Sequence, residues 1–284
     1  MYKIILQINC NDQKGIIAAV TSFIHEYQGN IVYIDQHVDQ EQNEFFMRLE
    51  SKFQSNSIPL KQLEEKFSQT IAKPFNMTWG MQTSDQKPKM ALFVSKYDHC
   101  LYDILGRYSS GELNVEIPFI ISNHIDLKPI ANNFNIDYYH IPVTKENKGD
   151  TEEIQLELLA KHNVDFIVLA RYMQIISPKL ISKFQNNIIN IHHSFLPAFA
   201  GAKPYHSAFK RGVKIIGATS HYVTEDLDEG PIIEQDITHV SHSHTINDLV
   251  LKGRDLEKIV LSRAIKLHLE KKTMVHNNKT IIFS

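Results

Sequence analysis

Apolar and polar positions alternate through residues 2–10, the two-residue period of a half-buried strand. From Gly15 the period lengthens, and Ile16, Val20, Phe23, Ile24 and Tyr27 fall on one face of a helix. A turn at Asp12–Gly15 must join the two. Beyond Gly29, NIVYIDQHVD (30–39) and EFFMRLES (44–51) read as strands, PLKQLEEKFSQTIAK (59–73) as a helix and FNMTWGM (75–81) as a short strand. The resulting βαββαβ order predicts a ferredoxin-like split βαβ unit that closes near residue 82. Such an order specifies a fold and leaves its chemistry open.

The polar stretch TSDQKPK (83–89) carries Pro88 and no apolar period, so it reads as a linker, with a second domain over 90–284. There the runs MALFVS, EIPFIIS, DYYHIPV, VDFIVLA and NIINIHH alternate with the helical segments TEEIQLELLAKHN and SPKLISKFQN. Strands alternating with helices predict an α/β domain with a Rossmann-like parallel sheet. Strands rich in Ile and Val on both faces imply a sheet covered on both sides. A long amphipathic helix from Ile246 closes the chain. Ligands of such sheets sit beyond the carboxyl ends of strands, which directs attention to the residues just after each run.

Composition narrows the partners. The 284 residues carry Lys+Arg 30 against Asp+Glu 32, a formal charge of −2, so there is no basic field for nucleic acid. The opening MYKIILQINC lacks a signal peptide's basic start and continuous apolar core, and no run approaches the roughly 18 apolar residues of a membrane span. A cytoplasmic chain with no membrane partner is expected. Cys10 and Cys100 form no CxxC and read as buried small residues. His242 and His244 form an HxH pair without a third ligand, so no metal is expected there.

Candidate chemistry gathers after two late strands. In NIINIHHSFLPAFAGAKPYHSAFKRG, Asn190 and His192 lie two apart on a strand and therefore share a face. After the strand IIGATSHYVT comes the loop EDLDEGPI, which bears Asp228. An amide donor, an imidazole and a carboxylate are the groups acyl transfer needs: an oxyanion donor, a proton carrier and a charge to orient it. A histidine on an apolar strand is commonly just packed, and DEGP alone describes a turn. The pairing of the two motifs is what favours catalysis.

NIHHSFLPAFAGAKPYHSAFKRGVKIIGATSHYV followed by LDEGPII resembles the folate-dependent formyltransferase family, in which Asn-x-His precedes a Ser-x-Leu-Pro turn and an Asp precedes Gly-Pro. The doubled His192-His193, the segment LARYMQI (169–175) and an ACT-like domain over 1–82 resemble its deformylase branch. The resemblance spans nearly the whole chain. It implies hydrolysis of 10-formyltetrahydrofolate to formate and tetrahydrofolate, with formate supplied to purine synthesis, no cofactor, and Asn190, His192 and Asp228 as the catalytic residues. His192 is the first choice for proton delivery, with Asp228 acting through a water chain as the other. The resemblance further implies a pterin pocket on the loops of Arg171, Tyr172, Met173, Ile175 and of Glu225 and Leu227, with His221 near the formyl group. His193 is divided between catalysis and support of its loop. For the first domain it implies an amino-acid effector, methionine or glycine, held at Asp12 and Gly15, and a homo-oligomer; Lys14 stands where that family often has Pro.

The alternative within the family is a formyltransferase acting on glycinamide ribonucleotide, whose first strand runs into a Gly-rich phosphate-binding loop. Here that place reads Ser95-Lys96-Tyr97-Asp98-His99, with no glycine and with an aspartate that repels phosphate. Water is therefore the expected acceptor. A regulator with an inert second domain does not explain the intact Asn190, His192 and Asp228, and a dinucleotide dehydrogenase would need a GxGxxG after a strand.

Overall fold

The computed structural model describes residues 1–54, 58–84, 86–198 and 204–283. Two compact units emerge, Met1–Gln86 with the chain end from Ile282, and Lys87–Ile281. Strand β4 of the first unit extends to Thr83 and Lys89 already bridges Glu116 in the second, so the stretch between ordered elements is shorter than the 83–89 linker read from sequence.

The first unit is βαββαβ: β1 (Tyr2–Asn11), α1 (Ile16–Glu26), β2 (Asn30–Asp39), β3 (Glu44–Phe53), α2 (Leu60–Phe67) and β4 (Thr78–Thr83). Its sheet order is β2-β3-β1-β4, with every neighbouring pair antiparallel. Alternate residues of β1, Ile4, Leu6 and Ile8, meet Met47 and Leu49 of β3 under Val20, Phe23 and Ile24 of α1 and Phe67 of α2. The helix expected over 59–73 is α-helical only to Phe67 and continues as a π-helical turn, Ser68–Ala72. The last strand begins at Thr78 rather than 75, because the chain reverses at Asn76, whose φ is +51°, and Met77 N–H donates to Ala72.

In the second unit, five strands are parallel: β5 (Met90–Val94), β6 (Phe119–Ser122), β7 (Asp137–His140), β8 (Phe166–Ala170) and β9 (Ile188–His192). The sheet order is β11-β10-β9-β8-β5-β6-β7, and β10 (Ile215–Tyr222) and β11 (Ile232–His239) join antiparallel. The sheet is thus mixed rather than wholly parallel. Leu92 and Val94 of β5 enter one core with Leu101 and Leu105 of α3 (His99–Ser109), Ile130 of α4 (Lys128–Asn133) and Val260 and Ile265 of α8 (Ile246–Leu269), against which α7 (Pro204–Arg211) packs. Ala91 and Phe93 enter the opposite core with Leu159 of α5 (Lys148–His162) and Leu180 of α6 (Pro178–Lys183). Burial on both faces is why these strands read as unbroken apolar runs. Helix α8 starts where the sequence places it because Thr245 and Asp248 form a reciprocal capping box. Among the described residues no helix is long and apolar enough to cross a membrane.

His268 near the end of α8 is buried, with its Nδ1 2.9 Å from the Tyr222 hydroxyl. Burial, then the charge of Lys271, pushes its pKa down from 6.5 to about 3. The folded protein therefore keeps this imidazole neutral while the unfolded chain protonates it below pH 6.5. Stability from this group is full above that pH and lost as pH falls toward 3, by about 2 kcal/mol between pH 7 and pH 5. Urea denaturation at those two pH values should show a gap that shrinks by that amount in His268→Gln; an unchanged gap would show that His268 is protonated when folded.

Candidate active site

Asn190 and His192 occupy alternate positions of β9, and β10 lies beside it in antiparallel register, with His221 opposite Asn190 and Thr219 opposite His192. Directly opposed residues share a face, so the strand pleat brings these four polar side chains onto one face of a rigid floor. A register shift at Ser220/His221 in the β10–β11 pairing marks a local bulge beside them. The sequence places Asp228 after a strand, but the antiparallel register puts that strand end beside the start of β9, where Val223 N–H donates to Ile188. The β10–β11 loop must fold back along the sheet to bring Asp228 to His192. It does so with Asp228 at φ +59° and with Gly230 packed so tightly that a Cβ there would lie 1.8 Å from the Tyr222 carbonyl oxygen. The Gly-Pro turn is thus a steric requirement.

The charges interlock. His192 Nδ1 lies 3.1 Å from Asp228 Oδ2, and His221 Nε2 lies 3.6 Å from Oδ1. Burial acts to raise the Asp228 pKa, yet the hydrogen bond from His192 and the nearness of both imidazoles hold the carboxyl well below the usual range. Asp228 is a carboxylate at any working pH. His221 Nδ1 sits 2.9 Å from the Tyr222 carbonyl oxygen, so that nitrogen carries a proton, and Asn190 Nδ2 approaches the other ring nitrogen at 3.2 Å. His192 Nε2 is buried with no hydrogen-bond partner among the described residues. Its neighbour His193 packs between His192 and Tyr205, with ring centres 5.2 and 5.9 Å away.

One cavity collects the residues singled out in this domain. Asn190, His192, His221 and Asp228 line it together with Arg171, Tyr172, Met173, Ile175, Glu225 and Leu227. Met173, Ile175 and Leu227 are half or more exposed and form an apolar rim left uncovered by the described residues. Tyr172 differs: its ring is buried edge-on against Phe93 and its hydroxyl accepts from Gln155, so this side chain belongs to the core. The Arg171 side chain is likewise buried and turned toward Glu257.

Several supports were not read from the sequence. Ser95 Oγ, just after β5, donates to Asn123 Oδ1 at 2.6 Å and accepts from Met173 N–H at 2.9 Å, pinning the loop that follows β8. The loop's far end is held by buried Glu152, which accepts from the Ser177 hydroxyl and backbone N–H. Thr219 Oγ1 donates to the Ser194 carbonyl oxygen and accepts from Leu196 N–H and Gln235, fixing the Ser-x-Leu-Pro turn to the sheet. Ser95 and Asn123 follow strand runs, where ligand residues were to be sought, but their partners lie too far along the chain for any local pattern to reveal them.

In the first unit, Asp12 and Gly15 border a shallow depression at the β1–α1 corner, shared with Gln36 and Val38 of β2. Gly15 has φ +95° there, and Asp12 N–H donates to Asn43.

A model of the Formyl transferase family matches residues 88–265, and one of the ACT domain matches residues 4–66. The formyltetrahydrofolate deformylase of a Synechocystis species is 52% identical over 279 residues, covering 98% of both chains. The crystal structure of a formyltetrahydrofolate deformylase from Pseudomonas syringae superposes with a TM-score of 0.97 at 45% identity, covering 100% of this chain and 95% of that one. A glycinamide ribonucleotide transformylase from Symbiobacterium toebii matches with a TM-score of 0.66 at 28% identity, covering 70% of this chain and 95% of that one.

Proposed function

We infer the chemistry from one premise: this chain belongs to the formyltetrahydrofolate deformylase family, and it hydrolyses 10-formyltetrahydrofolate to formate and tetrahydrofolate. Water adds to the formyl carbon, the bond to N10 breaks, and N10 takes up a proton so that it leaves as an amine. The observation that carries the assignment of roles is the His192–Asp228 pair at 3.1 Å, with His192 Nε2 lacking a partner among the described residues and Asn190 on the same strand face. Asp228 holds Nδ1 protonated, which leaves Nε2 as the base. Nε2 takes a proton from the attacking water, and the imidazolium, stabilised by Asp228, passes it to N10.

Asn190 donates to the formyl oxygen as it becomes an oxyanion. His221 supports this by accepting one Asn190 N–H, which leaves the second N–H for the substrate. The pterin edge meets backbone groups of Arg171–Ile175 and of the loop carrying Glu225 and Leu227, while Met173, Ile175 and Leu227 cover its faces. Formate release is measured from 10-formyltetrahydrofolate with and without glycinamide ribonucleotide. Equal formate in both supports the deformylase; formyl transfer that requires the ribonucleotide would establish the transferase instead. The formate produced serves purine synthesis and balances the one-carbon pools.

The ACT-type unit points to a small-ligand effector. At the Asp12–Gly15 depression we assign that ligand as an amino acid, methionine or glycine, acting in a homo-oligomer by favouring one domain arrangement. A panel of amino acids should change the formate-release rate of the full chain, and sedimentation should give a mass above that of one chain. An unresponsive monomer would remove the regulatory role.

A further inference from the structure

Arg171, the first residue after β8, has φ +63°, a left-handed conformation in which a side chain is sterically disfavoured. Its side chain explains why the conformation persists. The guanidinium is buried, with Nε 3.4 Å from Glu257 Oε2 and Cζ 5.0 Å from the centre of the Tyr97 ring. Glu257 on α8 is itself closed off: His99 Nε2 lies 2.7 Å from Oε2, and the Tyr205 hydroxyl donates to Oε1 at 2.7 Å. One turn earlier, Gly253 makes room for that hydroxyl, from which a Cβ would lie 2.0 Å. Tyr205 in turn packs on His193, which packs on His192. The cluster therefore abuts the residues proposed to move the formyl group, and Arg171 also lines their cavity.

We propose that Arg171, locked by Glu257 and Tyr97, is a specificity-determining residue: it fills the ground that a formyl-accepting amine would occupy, so that water remains as the acceptor. The proposal rests on the deformylase reading. Both outcomes share one step, in which a nucleophile bonds to the formyl carbon, the bond to N10 breaks and N10 gains a proton. With water the products are formate, tetrahydrofolate and a proton; with an amine they are an N-formyl amide and tetrahydrofolate, the amine's lost proton balancing the one gained at N10. An unprotonated amine is the better nucleophile, so hydrolysis prevails only where amines are kept out. Glu257, the buried carboxylate that could receive an amine's cationic form, already faces the Arg171 charge and is bonded to His99 and Tyr205. The Arg171 charge is permanent and repels that form as well.

The test uses Arg171→Gly, since glycine accepts φ +63° and leaves the space open. Wild type and variant turn over 10-formyltetrahydrofolate in the presence of glycinamide, and formate and N-formylglycinamide are both quantified. Wild type should yield formate alone, and the variant should raise the formyl-amide share by about tenfold or more over background. Tyr97→Ala, which removes the ring beside the guanidinium without touching the strand, should raise it less. It decides the matter should circular dichroism show Arg171→Gly unfolded. Unchanged product shares in the folded variants overturn the proposal. So does a folded Arg171→Gly that forms neither product, because Arg171 would then belong to the hydrolytic machinery. Absence of formate with wild type would instead refute the deformylase reading itself.

Discussion

Asp228→Asn is expected to lower kcat by about 10³–10⁴-fold while tetrahydrofolate still binds. The variant keeps the shape of the side chain, and asparagine tolerates the φ of +59° found there, so the loop retains its path. What changes is the group facing His192 Nδ1 at 3.1 Å. An amide N–H in place of the carboxylate puts the imidazole proton on Nε2, the nitrogen needed as a base, and removes the charge that stabilises the imidazolium. Stopped-time formate assays and tetrahydrofolate titration together check this, and near-normal turnover would remove Asp228 from the chemistry. The same substitution has a stability signature. The Asp228 carboxyl titrates below its ordinary 3.8, so it stabilises the fold above that pH and this contribution is lost as pH falls through its folded value. The Asn variant should therefore be less stable at neutral pH and should lack that acid limb.

Asn190→Ala should lower kcat by about 10²–10³-fold, with a smaller change in KM. A hydrogen bond to the formyl oxygen strengthens as negative charge builds on it, so its loss falls mainly on the transition state. Removing the amide also leaves His221 Nε2 without the N–H that lies 3.2 Å away in the wild type. Steady-state kinetics on both variants separates the roles. If Asn190→Ala changed KM alone, the amide would be a ground-state binder of the pterin or formyl group.

The sheets were legible because burial on one or two faces leaves a period in the sequence. Alternation in β1 and the unbroken apolar runs of β5 and β8 translate directly into the cores they form. Asn190 and His192 were legible for the same reason, since residues two apart on a strand share a face. The antiparallel direction of β10 and β11 was not, because the strand period is the same in either direction. That direction decides which way the Asp228 loop must travel. Nor did the sequence reveal the Ser95–Asn123–Met173 support or the Glu257 cluster, whose members come from separate elements and meet only after the sheet is assembled. Tyr172 shows the converse: it sits inside a segment singled out for substrate, while its ring answers to the core.

The nine-residue stretch between Tyr222 and Ile232 carries both the apolar rim residue Leu227 and the carboxylate that completes the charge network. In the proposed mechanism, holding the folate and arming the base are therefore tasks of one short segment, whereas Asn190, His192 and His221 are fixed in strands. Contacts to the remote ring system thus bear on the same segment that holds Asp228 against His192, a pair already formed at 3.1 Å. A formamide stripped of its pterin would meet a complete charge network but lack the contacts that position its formyl carbon, so it should lose turnover as well as binding.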